Sequence, residues 1–405
     1  MSVAPYVCAF RGSRDHYQTP LALAEGGLLD RLITDAYGTP AIRAAAAHLS
    51  GASIDTLAAR YQPGIPDDRV ECLWSVSMRE QVRNAVGVSQ NRTWLDYDHY
   101  YSDAAAARAR ESRANLLLYS PYAWEAFVAT YAHAPKRVLF QYHPHPDTER
   151  RWLETDAARF PGDAPVQCEL DARPAADHLL RRERDVWQHA DLIICSSHFT
   201  VRSLTEAGCP AEQCVVVPYG VDAITAAPAT RRDGFRALFV GTGSRRKGLR
   251  HLLLAWQQAA LPARSRLTIV SRALDPGLER LISETRGVEL IKGAKPATLS
   301  RLYAESSLFV LPSLAEGFGL VYLEALAYGC PVLGTVNTCL PDLGTEADGV
   351  FLTPVADPEA LASNLERLST RLVDDDGIRD AARATAARYP WSAFRQSLRD
   401  ALQNA

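Results

Sequence analysis

The sequence predicts an α/β fold of two Rossmann-like domains, on three observations. The chain has 405 residues, more than one ordinary core covers and enough for two. Short apolar runs alternate with helix-length segments almost throughout, the pattern of parallel sheets covered by helices. Two of these runs, Ala237 to Val240 and Leu308 to Leu311, lead into glycine-bearing turns and then into apolar-periodic helices. That strand–turn–helix unit is where open parallel sheets bind ligands.

Taken in order, the strands expected in the first half are Tyr6 to Phe10, Leu116 to Tyr119, Val138 to Tyr142, Leu192 to Cys195 and Val215 to Val217. Those of the second half are Ala237 to Val240, Leu267 to Val270, Val288 to Ile291, Leu308 to Leu311, Val332 to Gly334 and Val350 to Leu352. Between the sets, Pro218-Tyr219-Gly220-Val221-Asp222 and an Ala- and Pro-rich stretch break both periodicities. The expected division is therefore an N-terminal domain over 1–222, a linker over 223–236, a C-terminal domain over 237–388 and a last helical segment over 389–405. From about 40 to 110, Pro63, Gly64 and Pro66 interrupt helical stretches and no strand alternation emerges; the alanine-rich runs near 43–47 and 104–109 are good helix formers.

Composition narrows the class. Hydrophobic residues at 47% and charged residues at 22% describe a soluble globular chain. A formal net charge of -3 gives no general attraction to nucleic acid or to an anionic membrane, so any basic site is local. Eight cysteines, at 8, 72, 168, 195, 209, 214, 330 and 339, lack the spacing of a zinc site or a disulfide framework and read as reduced thiols. Met1-Ser2-Val3-Ala4-Pro5 has no basic leader pattern, and no stretch approaches the ~20 apolar residues of a membrane span, so a cytoplasmic protein is expected. The sequon Asn91-Arg92-Thr93 is then a chance occurrence.

Chemistry concentrates in the second half. After Leu308 to Leu311 come Pro312-Ser313-Leu314-Ala315-Glu316-Gly317-Phe318-Gly319 and a helical stretch, Leu320 to Tyr328. The first amides of that helix favour an anion, but one helix terminus contributes only about 0.3 to 1 kcal/mol, so cations must assist. The turn after Val240, Gly241-Thr242-Gly243-Ser244-Arg245-Arg246-Lys247-Gly248, supplies three. Arginine presents a fork to phosphate oxygens and lysine a mobile charge, which together neutralise a departing diphosphate. A solvated basic turn is the plain alternative. Glu316 and Glu324 can face one cavity, the first beside sugar hydroxyls and the second on a ribose diol; ordinary surface glutamates are the alternative there.

Ser313, Glu316-Gly317-Phe318-Gly319, Glu324-Ala325 and Gly329-Cys330-Pro331-Val332 together resemble the donor-site signature of glycosyltransferase family 4, whose fold is of the GT-B type, which implies two Rossmann-like domains facing each other across a cleft. The resemblance extends through Pro218 to Asp222, Lys247-Gly248 and Ala190 to Ser197, leaving out about 40 to 110. It implies that Glu316 lies against the donor sugar, that Glu324 binds ribose, and that Gly317, Phe318, Gly319 and Leu320 line the sugar and phosphates. It also implies that Lys247 binds the diphosphate. The family's arginine directly after the first glycine is Thr242 here, so Arg245 or Arg246 must substitute. A second departure is Asn337-Thr338-Cys339, where the family has a Gly-Gly turn. The family's last helix packs back onto the N-terminal domain, which would make Trp391, in Tyr389-Pro390-Trp391-Ser392, a packing residue.

In the first half, Arg11-Gly12-Ser13-Arg14-Asp15-His16-Tyr17-Gln18 is a glycine-bearing turn expected over the cleft opposite the diphosphate; with one glycine it is no dinucleotide fingerprint. Gln141-Tyr142-His143-Pro144-His145-Pro146 ends another strand, and the resemblance implies a histidine beside the donor sugar, His143 first and His145 as the alternative. Asp96-Tyr97-Asp98 has the carboxylate spacing of a metal-binding transferase of another fold, without glycines nearby. Arg79, Arg83 and Arg92 offer charge to an anionic acceptor or lipid head group, or are a solvated helix face.

The expected activity is retaining transfer of a sugar from a nucleoside diphosphate to an acceptor hydroxyl, in glycan, glycolipid or glycoconjugate biosynthesis. No metal or other cofactor is expected, and the acceptor is an unidentified sugar, lipid or protein. Peripheral contact with the inner face of a membrane is compatible with this. The rivals are a sugar-nucleotide epimerase or phosphorylase on the same fold, and a non-catalytic nucleotide-sugar-binding module.

Overall fold

The structure, a computed structural model, describes residues 4–46, 57, 60–87, 90–160, 182–224, 234–373 and 375–404. Most of the expected linker, 225–233, lies outside these residues, as do Cys168 and the side chains of Asn91, Arg92 and Asp96.

Among the described residues thirteen strands form two parallel sheets. The first contains β1 (Tyr6–Ala9), β2 (Leu29–Thr34), β3 (Val70–Cys72), β4 (Asn115–Tyr119), β5 (Arg137–Gln141), β6 (Leu192–Cys195) and β7 (Cys214–Val216) in the order β3-β2-β1-β4-β5-β6-β7. The second contains β8 (Arg236–Val240), β9 (Arg266–Ser271), β10 (Val288–Lys292), β11 (Leu308–Leu311), β12 (Val332–Thr335) and β13 (Val350–Thr353) in the order β10-β9-β8-β11-β12-β13. Central strands such as β1, β4, β11 and β12 are buried along their whole length, as continuous apolar runs covered on both faces must be.

All eleven expected strands are present within a residue or so of their expected ends; Phe10 and Tyr142 fall just beyond β1 and β5. β2 and β3 carry no strand pattern legible in the sequence. In β2 the pair Asp30-Arg31 interrupts the apolar run, and the structure neutralises it locally, Arg108 Nε lying 2.7 Å from Asp30 Oδ2. β3 is a three-residue edge strand, too short to show alternation.

Strand order reverses between β1 and β4 in one sheet and between β8 and β11 in the other. The loops leaving such adjacent strands diverge to opposite sides and open a crevice at the carboxyl edge. The turn with Arg245 to Lys247 and the loop with Glu316 leave β8 and β11, so topology alone brings them together.

The chain returns to its first half at the end. The helix Trp391–Asn404 packs on the helix Gln18–Glu25, with Arg395 Nη1 2.6 Å from Gln18 Oε1 and Arg399 Nη1 2.7 Å from Glu25 Oε2. Trp391 is buried and packs against Tyr219 and Phe394. Among the described residues no helix is long and apolar enough to cross a membrane.

Candidate active site between the two sheets

Two loops build the site. In the first, Arg245–Lys247 form a single helical turn ending at Gly248, which has φ +69° and caps the helix Leu249–Gln258. A Cβ at Gly248 would fall on the carbonyl of Pro312, so glycine lets the basic turn close against the end of β11. The Leu314 amide then donates to the Arg246 carbonyl at 2.8 Å and fixes the two loops together.

In the second loop every residue from Pro312 to Phe318 is buried. Glu316 is 7% exposed, and its Oε2 pairs with Lys247 Nζ and lies 3.1 Å from Arg246 Nη1. Burial by itself would raise this carboxyl; the two cations, with a smaller contribution from His143, outweigh it and hold the group at about 2. Glu316 is therefore ionised at neutral pH and, among the described residues, is flanked by two cations, Lys247 and Arg246. The following helix, Leu320–Ala327, begins after Gly319 without a side-chain cap, which leaves donor amides at its mouth.

Asn337 explains how the loop keeps its shape where Gly-Gly was expected. Its carbonyl accepts from the Glu316 amide at 2.9 Å, and its Nδ2 donates to the Leu314 carbonyl at 3.0 Å. The departure from the family pattern thus braces the loop that carries the carboxylate.

The first half closes over this loop. Gly317 lies against the backbone of Tyr142 and His143, and its carbonyl accepts from Ser197 Oγ at 2.5 Å and Thr200 Oγ1 at 3.2 Å. His143 follows β5 and bears electrostatically on Glu316, while the ring of His145 is buried, accepting from the Asp147 amide at 3.3 Å and lying 3.0 Å from the Arg184 carbonyl. Of the two histidines only His143 is at the site; His145 caps a helix. Phe318 is buried edge-on to Tyr219 at 5.5 Å between centroids, so what it offers the cleft is backbone.

The adjacent arginines part company. Arg246 faces Glu316, whereas Arg245 Nη1 reaches across to Asp156 Oδ2 at 2.7 Å. Asp156 is 2% exposed and lies 2.6 Å from His251 Nε2 through its other oxygen. Burial would raise this carboxyl too, but His251 and Arg245 together lower it. Asp156 carries no signal in the sequence, because its helix, Pro146–Arg159, reads as an ordinary polar helix.

Glu324 is placed one turn into its helix and accepts from the Tyr303 hydroxyl at 3.0 Å. Its carboxyl is raised by burial, against the effect of that bond and of His16. His16 belongs to the Gly12 turn, which therefore comes within electrostatic reach of Glu324, and the Gly12 amide donates to Asp35 Oδ1 at 2.8 Å. Asp15, His16 and Tyr17 have φ values of 41°, 53° and 62°, three consecutive left-handed non-glycine residues. Such backbone is strained and clusters at functional sites. Beside them the Arg14 guanidinium sits 4.2 Å from the Tyr142 ring and donates to Tyr122 at 3.2 Å. Nothing in the sequence pattern marked Arg14.

Asp98 lies 3.0 Å from Arg11 Nη1, and Glu80 pairs with the same guanidinium at 2.5 Å. Among the described residues no group of three or more His, Cys, Asp or Glu side chains is placed to hold a metal ion. Arg79 is exposed and Arg83 stacks 5.4 Å from the Tyr97 ring.

Comparison with known proteins matches both halves. A family model described as Glycosyltransferase Family 4 matches residues 51–224, and one described as Glycosyl transferases group 1 matches residues 234–371. The chain is 29% identical over 249 residues to an MMP alpha-(1->4)-mannosyltransferase of Mycolicibacterium hassiacum, covering 58% of this chain and 59% of that protein. It is 32% identical over 241 residues to a D-inositol 3-phosphate glycosyltransferase of Corynebacterium urealyticum, covering 52% and 55%. The match thus spans little more than half the length of these curated relatives. Among solved structures, the sucrose-phosphate synthase of Thermosynechococcus elongatus superposes with a TM-score of 0.70 at 18% identity, over 99% of this chain and 98% of that one.

Proposed function

Since this chain belongs to glycosyltransferase family 4 and has the GT-B fold, we propose that it moves a hexose from a nucleoside diphosphate to an acceptor hydroxyl with retention of anomeric configuration. The observation that carries this reading is the meeting of Lys247, Arg246 and Glu316 at the β8/β11 switch point, beside the uncapped helix Leu320–Ala327.

Lys247 and Arg246 take the diphosphate, and their charge stabilises the leaving group as the glycosidic bond breaks. Glu316, ionised throughout the neutral range, accepts hydrogen bonds from hydroxyls of the donor sugar, with His143 on the opposite wall. Glu324 receives the ribose diol, oriented by Tyr303. The backbone of Gly317, Phe318, Gly319 and Leu320 lines the sugar and phosphates. No second carboxylate is assigned as a nucleophile, so the departing phosphate itself takes the acceptor proton in a front-face displacement. Closure of the two halves at Gly317 excludes water, which would otherwise compete as acceptor.

The names of the relatives, a mannosyltransferase and an inositol-phosphate glycosyltransferase, support a sugar or polyol acceptor used in glycan or glycolipid assembly. The charge comes from side chains, so no metal is required by this reading. Placement at the inner face of a membrane is compatible with a lipid-linked acceptor.

The test is a panel of nucleoside diphosphate sugars scored by their effect on the unfolding midpoint, followed by mass analysis and anomeric NMR of products with candidate acceptors. A donor should stabilise the wild type and not Lys247→Ala, and activity should persist in EDTA. Donor consumption without acceptor would point to an epimerase, a requirement for inorganic phosphate alone to a phosphorylase, and binding without turnover to a non-catalytic module. EDTA inhibition reversed by manganese would return attention to Asp96 and Asp98.

A further inference from the structure

The helix Trp74–Ala85 carries an apolar face that the fold does not cover. Trp74, Met78, Val82 and Val86 follow one another at four-residue spacing and are 43%, 61%, 63% and 72% exposed. The helical turn continues to Val86, whose amide donates to the Val82 carbonyl at 3.1 Å. At about 100° per residue the four side chains fall within an arc of roughly 120°. Single exposed apolar residues are common on any protein, but an aligned stripe of them marks a surface that meets something.

The charges around the stripe say what it meets. Glu80 is the one acidic residue between 74 and 86, and it points inward, 7% exposed and 2.5 Å from the Arg11 guanidinium. No carboxylate of the helix therefore shares the outward face. Arg79 is exposed at its border, and Arg83, one turn on, lies over the Tyr97 ring. A helix with tryptophan, methionine and valine outward, arginine at the edge and its only acid buried matches the interface of an anionic bilayer, where apolar groups enter the acyl boundary and basic groups meet the phosphates.

We propose that Trp74, Met78, Val82 and Val86, with Arg79, dock this chain on an anionic phospholipid surface. The acids that precede the helix, Asp67, Asp68 and Glu71, lie in the turn and edge strand before it and not on the stripe. The inner face of the same helix holds Arg11, at the end of β1 and at the switch point of the first sheet. Docking there would set the open side of the acceptor half toward lipid; that placement rests on the glycosyltransferase reading, whereas the docking does not.

The full chain should co-sediment with vesicles of equal phosphatidylglycerol and phosphatidylcholine, less with phosphatidylcholine alone, and less at high salt. Replacing Met78 and Val82 together by serine should lower the partition coefficient by about tenfold or more, and Arg79→Gln should remove part of the preference for the anionic lipid. Brominated lipid should quench wild-type tryptophan fluorescence more than that of Trp74→Phe. An unchanged unfolding midpoint in the variants shows that the fold is intact. Absence of vesicle binding, or binding equal in wild type and the double variant, would overturn the proposal. So would self-association of the wild type that the double variant abolishes, since the stripe would then be covered by a second copy. Donor binding is measured separately: if it fails while vesicle binding holds, the enzymatic reading falls and the docking surface stands.

Discussion

Arg245 and Arg246 are neighbours in the chain and are held by carboxylates on opposite sides of the cleft, Arg245 by Asp156 at 2.7 Å and Arg246 by Glu316 at 3.1 Å. Substituting each should therefore separate chemistry from assembly. Arg246→Ala is expected to lower kcat/KM by about 10²- to 10³-fold, the range for losing one group aimed at developing charge, with little change in the unfolding midpoint. Arg245→Ala breaks a buried ion pair, which costs on the order of 3 to 5 kcal/mol, less whatever His251 retains. It should lower the midpoint and change donor affinity by less than about tenfold. Steady-state kinetics beside thermal unfolding decides the matter, and equal kinetic losses in both variants would put both arginines on the donor.

Glu316 fixes a pH dependence. Its carboxyl is brought from 4.5 down to about 2, because Lys247 and Arg246 outweigh the effect of burial, a difference on the order of 3 kcal/mol. The folded value lies below the unfolded one, so this stabilisation is fully present above pH 4.5 and is lost as pH falls through about 2. The gap in unfolding midpoint between wild type and Glu316→Gln should be constant near neutrality and shrink steadily across that acid window. A gap independent of pH from 7 down to 2 would show that the ion pair does not form.

How much of this could be read beforehand follows from what each residue's neighbours are. Glu316, Lys247 and His143 sit at strand ends in short, locally patterned segments, so periodicity and turn chemistry located them, and the resemblance gave them roles. Asp156, Arg14 and Asn337 act through partners 89, 108 and 23 positions away in sequence. No local pattern encodes a contact of that span. The same holds for β2, whose place in the sheet depends on pairing with β1 and on Arg108 neutralising Asp30, and for β3, which is held by pairing with β2, and not on alternation within their own residues. The choice between Arg245 and Arg246 had to stay open for the same reason, since only the fold shows that Asp156 takes one of them.

Glu324 is expected to act on the nucleotide alone. Its Oε2 accepts from Tyr303 at 3.0 Å, which fixes the carboxylate for the ribose contact proposed above. Losing a hydrogen bond to a charged group costs roughly 1.5 to 3 kcal/mol, so Glu324→Ala should weaken nucleoside diphosphate affinity by about ten- to a hundredfold in calorimetry. Tyr303→Phe should follow in the same direction by a smaller amount. At saturating donor kcat should stay within a few fold of wild type. A collapse of kcat at full saturation would place Glu324 in the chemical step instead.

Gly317 offers the sharpest test of closure. It lies where the Glu316 loop meets the other half, and a Cβ there would run into the Tyr142 carbonyl and the His143 Cα, both backbone atoms with no side chain to swing aside. Gly317→Ala must therefore hold the halves apart locally, and it also disturbs the carbonyl that Ser197 and Thr200 grip. A displacement of about 1 Å in positioned groups is enough for roughly a hundredfold loss of rate. The expected result is a fall in kcat of that order, with donor affinity retained because Lys247, Arg246 and Glu324 all belong to the C-terminal half. Small-angle scattering should show a less compact particle for the variant in the presence of donor. If kcat and compactness match the wild type, closure at Gly317 is not part of catalysis.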